Sequence, residues 1–123
     1  MNFMVEAIKQ AMLAISEDEI PVGCVIVKNG EIISAAHNTC ENDRNPLCHA
    51  EINAINTACT KLNQKFLDDC EMYVTLEPCA MCAGAIINSR IKRLYIGAAE
   101  PKSGCCGSAL NLFDGSLITN TEV

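Results

Sequence analysis

The chain carries His49-Ala50-Glu51 and, beyond residues 52 to 77, Pro78-Cys79-Ala80-Met81-Cys82. A fold that uses both segments in one site has to bring them together across that interval. One imidazole and two thiolates are three soft ligands for zinc, and they leave the fourth tetrahedral position to water. That is the ligand count of a catalytic zinc centre rather than a closed structural one. The spacing within each segment also restricts the local structure. Side chains two apart on a helix point about 200° from each other, so His49 and Glu51 cannot share a mid-helix face. They can both meet a cation lying off the end of a helix, which puts them in a first turn, and Pro46 just upstream fits such a start. Cys79 and Cys82 are spaced i, i+3, on one helical face. Pro78 places them in an opening turn, where the helix dipole favours thiolate. The sequence therefore predicts two helix N-termini converging on one zinc ion.

Glu51 is poorly placed to be a further ligand and well placed to move protons at an activated water. Zinc lowers the pKa of bound water toward about 7. A carboxylate that takes up that proton, delivers it to a ring nitrogen and later protonates a departing amine needs an elevated pKa, which a closed pocket supplies. The chemistry these residues suit is hydrolytic deamination of an amino-substituted heterocycle, giving a carbonyl and ammonia. A redox C-x-x-C pair is the competing reading of Cys79 and Cys82, and the histidine and glutamate argue against it. A solvated charge on a helix is the competing reading of Glu51, against which its place beside the three donors argues. His37 reads as an ordinary residue at a strand end.

The remaining pattern predicts an α/β fold with a mixed central sheet of about five strands and helices on both faces. Val5, Ile8, Met12 and Ile15 recur at helical spacing over residues 2 to 16. Val22 to Val27 is a nearly continuous apolar run, as in a strand buried on both faces. Asn29-Gly30 is a hairpin turn leading into a strand from Glu31 to Ala36. After a polar loop from Asn38 to Pro46, a helix is expected from about Leu47 to Leu62, with Leu47, Ala50, Ala54, Ala58 and Leu62 on its buried stripe. Met72 to Leu76, a helix carrying Cys79 to Asn88, and Ile91 to Ile96 then form a βαβ unit with parallel strands. A loop at Gly104 to Gly107 and a short helix from Ser108 to Phe113 complete the pattern.

With 123 residues the chain is expected to form a single domain, residues 1–123. No window approaches the ~18 uninterrupted apolar residues of a membrane span. The first helical stretch contains Glu6, Lys9 and Gln10 and does not read as a signal peptide. Nine cysteines without an export signal indicate free thiols in a reducing cytoplasm. Cys40, Cys48, Cys105 and Cys106 read as packing residues rather than a second metal site. The formal charge of −6 leaves room for a small nucleic-acid footprint only.

The pairing of H-x-E with P-C-x-x-C is similar to that of zinc-dependent nucleobase deaminases. More specifically, Thr75-Leu76-Glu77-Pro78-Cys79-Ala80-Met81-Cys82-Ala83-Gly84-Ala85-Ile86 resembles the bacterial tRNA-specific adenosine deaminase family. Pro21-Val22-Gly23, His37-Asn38, Lys102-Ser103-Gly104 and Gly107-Ser108 match it too. The resemblance implies a three-layer α/β/α cytidine-deaminase-like fold, one zinc per subunit and a homodimer. It implies conversion of adenosine to inosine at the wobble position of a tRNA anticodon stem-loop, with deamination of a free base or nucleoside as the alternative. A zinc-stabilised binding module without catalysis is a third reading, against which Glu51 argues. By motif position His49, Cys79 and Cys82 would hold the zinc and Glu51 would shuttle protons. Asn38 and the backbone around Ala50 would hold the flipped-out base. Cys48 and Asn45 depart from the usual Ala and Asp of the family. The chain also stops at Val123, about where the family begins a last strand and C-terminal helix, so no such helix is expected here.

Overall fold

The computed structural model describes residues 1–123 and contains seven elements. Helix α1 spans Phe3–Ser16, with the Asn2 side chain accepting the Val5 amide at 3.2 Å as its N-cap. Strands β1 (Gly23–Lys28) and β2 (Glu31–His37) form an antiparallel hairpin. Asn29 and Gly30 turn the chain with φ of 51° and 76°, the positive pair that a tight two-residue hairpin requires. Helix α2 (Ala50–Leu62) precedes β3 (Glu71–Leu76), and α3 (Ala80–Ser89) connects β3 to β4 (Arg93–Ala98). The sheet order is β2-β1-β3-β4; β1 is antiparallel to both its neighbours, while β3 and β4 run parallel across α3.

The alternation of β1 explains the three layers. Cys24 and Ile26 point to one face and pack with Ala50, Ala54 and Ala58 of α2 and Ile86 of α3. Val25 and Val27 point to the other, where Ala7 of α1 covers them. Both faces are apolar because both are covered, so the strand reads as a continuous hydrophobic run. Gly23 lets α1 approach: a Cβ there would collide with the backbone of Ala7 and Ala11.

That close approach reverses the apparent amphipathicity of α1. Its buried line is Ala7, Ala11 and Ala14, whereas Val5, Ile8, Met12 and Ile15 are exposed. Small residues face the sheet because there is no room for larger ones. Three other expectations are corrected. The sheet has four strands rather than about five. Next to β4 there is only a single parallel bridge, Arg93 to Glu122, closed by the Leu94 amide donating to the Glu122 carbonyl at 2.8 Å. Helix α2 starts at Ala50, and Leu47 is exposed in the preceding turn instead of on the buried stripe. Residues 108–113 form turns, not a helix: Asn111 Oδ1 takes the Phe113 amide at 3.0 Å, a local bond that competes with helical pairing. The polar loop, the hairpin and the parallel βαβ unit stand where the pattern put them.

Candidate active site

Both candidate donor segments sit at helix starts. His49 is the N-cap of α2 in an extended conformation, and Glu51 is the second residue of that helix. Cys79 is the N-cap of α3, with Cys82 one turn along. The helix therefore begins two residues after Pro78, and the sulfurs flank its first turn. No side chain caps either helix; the first-turn amides of Met81 and Cys82 serve Cys79, and the Glu51 amide serves its own carboxyl group.

His49 Nδ1 lies 3.7 Å from Cys79 Sγ and 3.6 Å from Cys82 Sγ, and all three donor atoms fall within 4.8 Å of one another. Zinc bond lengths of about 2.0–2.1 Å to nitrogen and 2.3 Å to sulfur give a tetrahedral N···S edge of about 3.5 Å. The observed edges match it, and the donor set is the nitrogen–thiolate mixture that zinc takes, so these residues fit the metal. Cys79 is held as a thiolate, its pKa drawn down to about 5. The Cys82 thiol donating to it is the main cause; burial opposes, and the first-turn amides of Cys82 and Met81 and the charge of His49 assist. The Cys82 thiol is pushed upward because it shares its proton with Cys79 and is buried.

Glu51 is 4% exposed. Burial raises its pKa, and the negative charge of Cys79 adds to the effect against the opposing pull of its own backbone amide, His49 and Cys82. A buried carboxyl group shifted upward beside three donors that could hold a metal suits a general acid–base role. Glu51 faces a cavity of about 240 Å³, which His49, Ala50, Cys79, Asn38, Val22 and Leu76 also line. Of the site residues expected from the sequence, Asn38, His49, Ala50, Glu51 and Cys79 line this cavity, while Cys82 is fully buried behind it beside His49 and Cys79.

Two carboxylates that the sequence did not single out hold the loops around this cavity. Glu77, immediately after β3, accepts the amides of Glu100 (3.2 Å), Cys106 (2.9 Å) and Ser108 (3.1 Å) and the Ser108 hydroxyl. Burial works to raise its pKa, yet the Ser108 hydroxyl and these amides bring it down to about 2. The loop so fixed brings Glu100 and Ser103 to the cavity wall. Gly104 lies against the Glu77 carboxyl group, where a Cβ would overlap it. Glu19, between α1 and β1, plays the matching part on the other side. It accepts the amides of Glu41 (3.0 Å) and Asn42 (2.8 Å) and a side-chain hydrogen of Asn38 (3.3 Å). The sequence signal for Glu77 was its place between an apolar strand and Pro78; Glu19 gave none.

His37 ends β2 and pairs with Gln10 at 3.1 Å and Glu17 at 3.0 Å, away from the donor triad. All nine cysteines are free. Cys105 is buried and Cys106 packs against the core. No helix is long and apolar enough to cross a membrane.

The model of the MafB19-like deaminases matches residues 1–121. Among solved structures, one from a study of A-to-I editing by tRNA:A34 deaminases superposes with a TM-score of 0.92 at 39% identity, covering 98% of this chain and 95% of that one. Guanine deaminase from Bacillus subtilis superposes with a TM-score of 0.78 at 31% identity, covering 95% and 87%. The molecule is a deaminase of the cytidine-deaminase-like fold, a hydrolytic enzyme. A tRNA-specific adenosine deaminase from Rickettsia typhi is 53% identical over 115 residues, which is 92% of this chain and 78% of the relative. One from Aquifex aeolicus is 47% identical over 112 residues, covering 91% and 74%. The chain belongs to the MafB19-like deaminase family, in its tRNA-specific adenosine deaminase branch.

Proposed function

We propose that this enzyme converts adenosine to inosine at the wobble position of a tRNA anticodon by hydrolytic removal of the 6-amino group. The observation that carries the reading is the grouping of His49, Cys79 and Cys82 beside a cavity whose wall includes His49, Cys79 and the buried Glu51. In this reading the three residues hold one zinc per subunit, and the metal, when bound, supplies the Lewis acidity that activates water at neutral pH. The first-turn amides of α3 stabilise the thiolate of Cys79. Glu51 takes one proton from the attacking water and carries it to a ring nitrogen of the base, then takes the second proton of that water and delivers it to the amine, which departs as ammonia. Its upward-shifted pKa suits a group that must be both acceptor and donor.

The cavity volume of about 240 Å³ suits a single base. The 6-position of adenine is out of reach while the base is stacked, so the nucleotide has to be extruded into the cavity. Asn38, 5% exposed on its wall, supplies hydrogen bonds to the base, with the backbone at Ala50 opposite. The resemblance to tRNA-specific adenosine deaminases supports tRNA as the partner and a homodimer as the working state. The free cysteines support a reducing, cytoplasmic setting.

The test is inosine formation by zinc-loaded protein on an anticodon stem-loop with adenine at the wobble position, run beside free adenosine, guanine and cytosine. Inosine in the stem-loop, abolished by Glu51→Gln, is the expected result. Ammonia from a free base with the RNA unchanged would move the enzyme to small-molecule deamination, the activity of its guanine deaminase structural relative.

A further inference from the structure

Asn38 is polar, buried and held from both sides. Its Nδ2 donates to Glu19 Oε1 at 3.3 Å, and its Oδ1 accepts from Cys40 Sγ at 3.2 Å. Glu19 is itself 6% exposed and tied at both ends. Its amide donates to the Ala14 carbonyl at 2.9 Å, and Oε2 accepts the Asn42 amide at 2.8 Å and Asn42 Nδ2 at 2.6 Å. Burial works to protonate the Glu19 carboxyl, but the amides of Asn42 and Glu41 outweigh it and its pKa is lowered.

An ionised carboxylate only accepts hydrogen bonds, and an amide side chain has one accepting and one donating end. The Asn38 end that faces Glu19 therefore has to be the NH₂, and the thiol of Cys40 reinforces the same sense at the oxygen. What remains for a ligand is one Nδ2 hydrogen and one Oδ1 lone pair, each at a determined place. An asparagine amide of fixed sense matches an edge that offers a donor beside an acceptor, as adenine does with its N6 amine and N7. Guanine offers two acceptors, O6 and N7, at the corresponding edge.

We infer that Glu19 is the specificity-determining positioning residue of this site: it fixes the sense of the Asn38 amide and thereby selects a 6-amino over a 6-oxo purine. The inference rests on Asn38 contacting the base. Glu19 is not among the residues lining the cavity and contacts none of the metal-capable donors, so besides holding its loop it reaches the base only through Asn38.

The experiment compares wild type, Glu19→Gln, Asn38→Ala and the double variant on the anticodon stem-loop. It measures kcat/KM for the adenine substrate and the inhibition constant of a stem-loop with guanine at the wobble position. Glutamine keeps the shape but can donate as well as accept, so the amide of Asn38 is no longer held in one sense. The expected result is an adenine-over-guanine preference about tenfold smaller in Glu19→Gln, with zinc content and melting temperature retained. In the Asn38→Ala background Glu19→Gln is expected to add no further loss. Asn42→Ala loosens the same loop without touching the Glu19–Asn38 bond, and it is expected to keep the wild-type preference. A Glu19→Gln loss that adds fully to that of Asn38→Ala, or is matched by Asn42→Ala, overturns the inference and leaves Asn38 as a base contact. Wild-type preference in Asn38→Ala overturns both.

Discussion

His49 Nδ1 stands 3.6 Å from Cys82 Sγ although 33 positions separate them in the chain. The whole of β3 is threaded between the two, so the donor triad forms only when α2 and α3 have both docked on the same face of the sheet. That geometry would couple the binding of a metal by the triad to folding. Cys82→Ser is expected to abolish stoichiometric zinc retention and with it the activity, as read by metal analysis after gel filtration. A variant that keeps full zinc occupancy would contradict the assignment of the ligands.

Glu51→Gln removes the proton carrier and none of the donors. Turnover is expected to fall by about 10²–10⁴, with the zinc content unchanged. Single-turnover kinetics on the stem-loop would read the loss in the chemical step. A rate within threefold of wild type would show that protons travel by another route.

The Glu77 carboxyl has a folded-state pKa of about 2, below its ordinary value of 4.5. A depressed carboxylate contributes stability that is fully present above the unfolded value and is lost as the folded one is approached. Urea midpoints are therefore expected to drop as the pH is lowered from about 4.5 toward about 2. Glu77→Gln should flatten that part of the profile. It should also speed exchange of the Cys106 and Ser108 amides, which this carboxylate holds. Unchanged exchange at both amides would mean that the loop does not depend on Glu77.

Gly23→Ala drives a methyl group into the backbone of α1 at Ala7 and Ala11. Overpacking of this kind typically costs about 1–3 kcal/mol, and a rigid helix backbone cannot move aside as a side chain would. The denaturation midpoint is expected to fall accordingly, with the zinc site intact in the folded fraction. A neutral substitution would show that α1 sits farther from the sheet.

The sequence made the donor triad legible because each half is local: a histidine and a glutamate two apart, two cysteines three apart. The strands and the hairpin were readable from alternation and from Asn29-Gly30. What stayed hidden depends on distant partners. Glu19 and Glu77 are single carboxylates whose ligands are backbone amides 22 to 31 residues away, and backbone amides leave no mark in a sequence. The buried side of α1 was masked because its contact residues are alanines, while the larger apolar residues face outward. The turns at 108–113 follow from side-chain oxygens capturing nearby amides, a competition that composition alone does not decide.

The donor triad and Glu51 are mounted on helix starts packed into the core, but the two loops around the cavity are each held by one carboxylate that touches no metal ligand. Changes at Glu19, Glu77 or the loops they gather can thus alter which molecule enters while the reaction performed on it stays the same. A lineage built on this scaffold is free to change its diet without having to reinvent its chemistry.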